Sequence, residues 1–231
     1  MITGIALSAG AVPAWARLDP VPYPLYRTQN QQSQEHLTPA QALQKLKEGN
    51  QRFRENRMLQ RNLPRQVEDT AKGQYPFAAM VACIDSRTST EVIFDQGLGD
   101  VFAARVAGNF VNDDILGSLE FACAIAGAVL IVVLGHTACG AIRGACDDVV
   151  FGNLTHTLAN LKPAVAAVEG FEDDRSSANP AFVQAVADKN VLLTMARIRQ
   201  RSPVLRDLID AGEVGLVGAM YDVSTGEAVF Q

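Results

Sequence analysis

The feature that most restricts the fold is the run Ala128 to His136, "AVLIVVLGH", apolar almost throughout and rich in β-branched residues. A strand with water on one face alternates apolar and polar residues. A run without that alternation is covered on both faces, as in a parallel sheet between helical layers. Two more runs share this character, "FAAMVAC" (Phe77 to Cys83) and "VFAARV" (Val101 to Val106). Between them lie helical patterns: a short one in "TSTEVIFDQ" and a longer one, "DDILGSLEFACAIAG", opened by Asp113 or Asp114. Further helices are expected in "CGAIRGACDDV", around Thr155 to Glu169, over Asn179 to Gln200, and in "SPVLRDLIDAG", which ends at Gly212. The closing "VGLVGAMYDVSTGEAVF" predicts a strand, a turn at Ser224 to Gly226 and a last antiparallel strand. The fold class is therefore α/β: a mainly parallel central sheet flanked by helices, with an N-terminal helical arm and a C-terminal antiparallel edge strand.

Upstream, "LTPAQALQKLKEGNQRFREN" opens with Thr38 as cap, Pro39 at the first helical position and Gln41 completing a capping box. Leu43, Leu46 and Phe53 share one face, so this helix is amphipathic. Asn62 to Gln74 reads as loop, and the Pro- and Gln-rich stretch from Arg17 to Glu35 as an extended arm. The first sixteen residues, "MITGIALSAGAVPAWA", are apolar and rich in small side chains, and Ala14-Trp15-Ala16 fits an A-x-A cleavage site. They read as a secretory signal cut after Ala16, which sends the chain to the periplasm or outside the cell; without a basic n-region the other reading is an apolar tail on a cytoplasmic protein. The division is thus 1–16 signal, 17–37 arm and 38–231 a single domain.

With 231 residues, 48% of them hydrophobic, the chain buries a full core without disulfide staples. A net charge of −5 gives no electrostatic reason to expect nucleic acid or an anionic membrane as partner. The basic run "RIRQR" at Arg197 to Arg201 reads as a solvated helix face. No stretch of about eighteen apolar residues is present, so no spanning helix is expected.

Cys83 ends the first strand and His136 the third, with Cys139 three residues on. In open parallel sheets, functional residues gather at the carboxyl ends of strands, so these three side chains converge. Two thiolates and an imidazole are donors that zinc prefers, and three protein ligands leave a fourth position open, the catalytic pattern. Asp85, two residues beyond Cys83, is placed to coordinate the metal or to hydrogen-bond its water, and Arg87 to hold that carboxylate through a bidentate pair. Cys123 and Cys146 read as small core residues.

"CIDSR" followed by "HTACGA" resembles the C-x-D-x-R and H-x-x-C pair of the β-class carbonic anhydrases, and the resemblance extends over roughly Thr38 to Phe230. "VFAARVAGN" is similar to that family's second-strand motif, with Val106 where Asn is usual; "SLEFA" and "VGAMYDVSTGEAVF" also fit. The resemblance implies Zn2+ on Cys83, His136 and Cys139, an Asp85–Arg87 dyad, and hydration of carbon dioxide to bicarbonate and a proton. In some members the residue matching Asp85 becomes a fourth ligand. Met80 stands where allosteric members carry Trp, which favours the open, non-allosteric form. Gln74 matches a glutamine that reaches substrate across a dimer interface. Phe102 and Ala107 would line the apolar pocket, and the Gly140 amide would donate to a substrate oxygen. No His or Tyr between Arg105 and His136 offers a proton shuttle. A homodimer or higher homo-oligomer is implied, with the Thr38 helix packing on a neighbour. The rivals are a hydrolase of the same fold acting on carbonyl sulfide or carbon disulfide, and a non-catalytic zinc-binding protein, which has no need of Asp85 and Arg87.

Overall fold

Five strands make one sheet in a computed structural model that describes residues 26–172 and 174–231. They are β1 (Ala78–Ala82), β2 (Val101–Arg105), β3 (Leu130–His136), β4 (Gly215–Tyr221) and β5 (Ala228–Phe230), in spatial order β2-β1-β3-β4-β5. The first four run parallel and β5 pairs antiparallel with β4. All five residues of β1 and all seven of β3 are buried, which is what unbroken apolar runs require. The expected signal cleavage after Ala16 lies outside the described residues.

The two sheet faces bury separate side-chain sets, as the period of two dictates. Ala79, Val81, Ile131 and Val133 pack under α5 (Asp113–Glu120), α9 (Pro180–Arg201) and α10 (Pro203–Asp210). Ala78, Met80, Leu130 and Val132 pack under α2 (Pro39–Arg54) and α4 (Thr90–Ile93). The α2 helix starts as its capping box demands: Thr38 Oγ1 accepts from the Gln41 amide, and Thr38 N–H donates to Gln41 Oε1 at 2.9 Å. Its Ala42 and Leu46 are wholly buried against the chain's own sheet, while Leu43 and Phe53 are partly buried. Gly49 lets α2 approach α4, since a Cβ there would sit 1.8 Å from the Phe94 carbonyl oxygen. Beside it Asn50 donates to the Ile93 and Gly226 carbonyls at 3.0 and 2.9 Å and accepts from Ala228 N–H at 2.9 Å, tying α2 to α4 and the last hairpin.

Five expectations are corrected. Asn62 to Gln74 is not all loop: α3 (Leu63–Thr70) lies within it, with Asn62 Oδ1 accepting from Arg65 N–H at 3.0 Å and Pro64 in the first turn. The arm is not extended to its end, because α1 (Gln31–Glu35) forms under an Asn30–Ser33 capping box. The cap of α5 is Asn112 rather than Asp113 or Asp114, whose carboxylates fill the first turn and favour its positive end. The Thr155 to Glu169 region is two helices, α7 (Leu154–Ala159) and α8 (Lys162–Ala167), the second opening on Pro163. The basic run is not simply solvated: Arg199 and Arg201 pair with Asp210 and Asp113, joining α9 to α10 and α5. None of the described helices is long and apolar enough to cross a membrane.

Candidate metal centre

The sheet register brings the site together. Ala82 pairs with Leu134, so Cys83 emerges one residue past β1 beside the last two residues of β3, Gly135 and His136. Beyond His136 the chain turns through Ala138, at φ +54°, into α6 (Gly140–Cys146), with Cys139 in its cap position. Thr137 pins this turn: its N–H donates to the Tyr221 carbonyl at 2.9 Å, and its Oγ1 accepts from Val223 N–H at 3.0 Å.

Cys83, His136 and Cys139 are all buried, and their donor atoms lie within 4.8 Å of one another. The two sulfurs are 4.0 Å apart. Two zinc–sulfur bonds of about 2.3 Å at a tetrahedral angle span about 3.8 Å, so the pair is set for one ion. His136 Nδ1 lies 2.9 Å from the Thr137 carbonyl, to which it donates. That fixes the tautomer and leaves Nε2 with its lone pair, buried and without a hydrogen-bond partner among the described residues. A buried, unpartnered imidazole nitrogen beside two thiols is the donor set of a zinc ion, and these residues fit it.

The thiols are unequal. Cys139 donates toward Cys83 Sγ, and the Gly108 amide donates to it at 3.3 Å, so Cys83 ionises well below the usual thiol range. Cys139, donor to that sulfur and deeply buried, is pushed up. Cys123, in the π-helical turn Phe121–Ile125 that follows α5, is pushed up to about 12 by burial alone; Cys146, at the end of α6, also rises by burial.

Asp85 lies at the rim, its side chain 16% exposed. Arg87 grips both of its oxygens: Nε donates to Oδ1 at 2.9 Å and Nη2 to Oδ2 at 2.7 Å, while the Arg87 amide adds a third bond to Oδ1 at 3.0 Å. The guanidinium holds the carboxyl far below the usual carboxylate range. Asp85 Oδ2 stands 3.9 Å from His136 Nε2.

The remaining expected site residues divide. Ala107 is half-buried next to Gly108, and Gly140 opens α6 beside Cys139. Phe102 is elsewhere: it pairs with Ala79, four residues before Cys83 and so about 13 Å back along the strand. Its ring packs on Phe121 at 6.1 Å in a groove of about 680 Å³, so within one chain it lines no pocket at the metal centre. Gln74 precedes β1 and is exposed at the opposite end of the sheet from Cys83. Sequence reasoning missed two residues that hold the Cys83–Arg87 loop. Arg105 donates to the Cys83 and Asp85 carbonyls at 2.9 and 2.6 Å, and Thr88 Oγ1 donates to the same two at 3.1 and 2.9 Å. Only Arg105's place at the end of a strand level with β1 signals this, because backbone carbonyls carry no residue pattern.

Two cysteines and a histidine gathered at strand ends, with an ion-paired carboxylate at the mouth, are a donor set that could hold a zinc ion, of the kind zinc enzymes use. Residues 78–228 match the carbonic anhydrase family. Carbonic anhydrase 2 of Mycobacterium tuberculosis is 36% identical over 205 residues, covering 85% of this chain and 94% of that one. The carbonic anhydrase of Mycolicibacterium smegmatis is 31% identical over 195 residues, covering 81% and 91%. Among solved structures, the β-carbonic anhydrase CafA of Aspergillus fumigatus superposes with a TM-score of 0.64 at 25% identity, over 83% of this chain and 89% of that one. A structure from a pair of tetrameric β-carbonic anhydrases of Sordaria macrospora gives 0.63 at 26% identity, over 72% and 86%. The chain belongs to the β-carbonic anhydrase family.

Proposed function

We propose that this chain is a zinc-dependent catalyst of the reversible hydration of carbon dioxide to bicarbonate and a proton. The observation that carries the reading is the unpartnered His136 Nε2 facing two thiols at zinc-ligand spacing, with Asp85 held beside it by Arg87. Cys83, His136 and Cys139 would hold the ion. Zinc so held supplies Lewis acidity that brings the ionisation of a water toward neutral pH, less far with two thiolate donors than with three imidazoles.

The chain's own residues do the rest. Arg87 keeps Asp85 ionised and fixes its plane, so the carboxylate acts as an acceptor only. Placed 3.9 Å from His136 Nε2, Asp85 accepts a hydrogen bond from the O–H of the attacking oxygen and turns its lone pair toward carbon dioxide. With both oxygens already taken by Arg87, Asp85 is better placed as an orienting base than as a fourth ligand, which supports the open form. Gly140, as first residue of α6, has an amide without an intrahelical acceptor, and we assign it to a substrate oxygen. Ala107 supplies apolar wall beside Gly108. The proton leaves to buffer.

We infer further that the enzyme works as a homodimer or larger assembly. Gln74 reaches a metal centre only in another copy, and Ile84, between Cys83 and Asp85, is 60% exposed in the single chain, as an interface residue would be. Zinc analysis with carbon dioxide hydration on one preparation tests the proposal. Hydration that follows zinc content supports it, and zinc-loaded protein without hydration contradicts it.

A further inference from the structure

The Cys83 sulfur has a protein partner besides its fellow ligands. The Gly108 amide donates to it at 3.3 Å, and the carbonyl of the same Gly108 accepts from Asn190 Nδ2 at 2.8 Å. Strand pairing does not set the direction of the Gly108 amide, because β2 ends at Arg105. Gly108 itself sits at φ +86°, and a Cβ there would come within 2.6 Å of Leu161, so only glycine fits this bend. Asn190 is the group that grips the bend. It is 2% exposed and lies on the buried face of α9, among Ala187, Val191 and Thr194. A buried side-chain amide is costly unless bonded, and the Gly108 carbonyl is what its Nδ2 bonds.

We propose that Asn190 is a positioning residue for the metal centre: by fixing the Gly108–Asn109 peptide, it restrains the bend at Gly108 that holds the preceding N–H on Cys83 Sγ, and thereby sets how much charge that thiolate gives the metal. An N–H···S bond draws electron density from the sulfur, and partners of this kind orient and tune metal ligands. A weaker thiolate donor leaves the ion a stronger Lewis acid, so a helix across the sheet adjusts the chemistry without touching ion or substrate. The inference rests on the reading of Cys83 as a ligand.

The test replaces zinc with cobalt in the full chain and in three variants. Asn190→Ala removes the grip, Asn190→Ser keeps a hydroxyl in a smaller side chain, and Ile198→Ala opens a cavity about two turns along α9 as a control for simple destabilisation. In both Asn190 variants the sulfur-to-cobalt charge-transfer band should move to lower energy, further for Ala than for Ser. Zinc affinity by chelator competition should fall about tenfold, because the loss of Cys83's fixed orientation outweighs its stronger donation. Ile198→Ala should lower the melting temperature while leaving band and affinity as in wild type. A folded Asn190 variant with the wild-type band and affinity overturns the proposal, as does an equal shift in Ile198→Ala. Should Asn190→Ala not fold, Asn190→Ser decides alone. Wild-type protein that takes up no cobalt removes the metal reading and this inference together, whereas wild-type uptake with unchanged Asn190 variants defeats the inference only.

Discussion

Arg87 and Asp85 form a two-pronged ion pair at the mouth of the metal centre, with Nε–Oδ1 at 2.9 Å and Nη2–Oδ2 at 2.7 Å. The pair removes both carboxylate oxygens from easy coordination while leaving a charged acceptor 3.9 Å from His136 Nε2. Asp85→Asn separates the two possible roles. Asn is nearly isosteric but carries no charge to pair with Arg87, and its amide presents a donor where an acceptor is needed. Zinc content should stay near wild type and turnover should fall about 10² to 10⁴-fold. Loss of zinc on the scale of Cys83→Ala would instead make Asp85 a permanent ligand.

Arg87 acts through Asp85, so the two should not add. Arg87→Lys keeps the charge but lacks the fork that fixes the carboxylate plane, and its turnover should drop well below wild type. The double variant Asp85→Asn with Arg87→Ala should be no slower than Asp85→Asn alone. A double variant slower by the product of the two single losses would mean that Arg87 has its own role with substrate.

Gln74 offers a test of assembly. If it serves the metal centre of another copy, mixing Gln74→Ala chains with Asp85→Asn chains should restore activity. In a mixed dimer the site of the Gln74→Ala chain has an intact Asp85 and a Gln74 from its neighbour. Activity after subunit exchange should exceed that of both parent preparations. A mixture no better than the mean of its parents places any role of Gln74 within its own chain or removes it.

Away from the site, Asp100 gives a pH signature. It is buried, accepts from the Tyr26 hydroxyl and from the Gly97 amide at 2.8 Å, and faces Lys45 and Arg61. Burial outweighs those partners and raises its folded-state pKa above the ordinary carboxylate value. At low pH both states are protonated. As pH rises past about 4, the unfolded chain ionises first while the folded chain keeps its proton, so stability falls until the folded value is passed. Asp100→Asn lacks that loss. Denaturant unfolding at several pH values should show the variant gaining on wild type as pH rises, and a gap that moves the other way would reverse the sign assigned to Asp100.

What the chain discloses in advance follows from how local each cause is. β1 and β3 announce themselves because burial on both faces demands unbroken apolar runs, and their ends then locate Cys83 and His136; β2 shares the apolar pattern but is an edge strand with Ala103 and Arg105 exposed. The α3 helix was hidden because Leu63 and Val67 are exposed and only Gln66 is buried, leaving no apolar stripe to read although Asn62 and Pro64 mark its start. The polar α1 has no buried residue at all. That Phe102 lies away from its own chain's metal centre stayed hidden because sequence shows that it is on a strand but not its distance from that strand's catalytic end. Arg105, Thr88 and Asn190 stayed out of view for another reason: they act on backbone carbonyls, near in the chain for Thr88 and far for Arg105 and Asn190, and such bonds leave no motif.

The most direct measurement is stopped-flow carbon dioxide hydration beside zinc stoichiometry on the same folded preparation. The account predicts about one zinc per chain and hydration well above buffer, both lost together when Cys83 or His136 is changed to Ala. Folded protein carrying its zinc but no faster than buffer would contradict it.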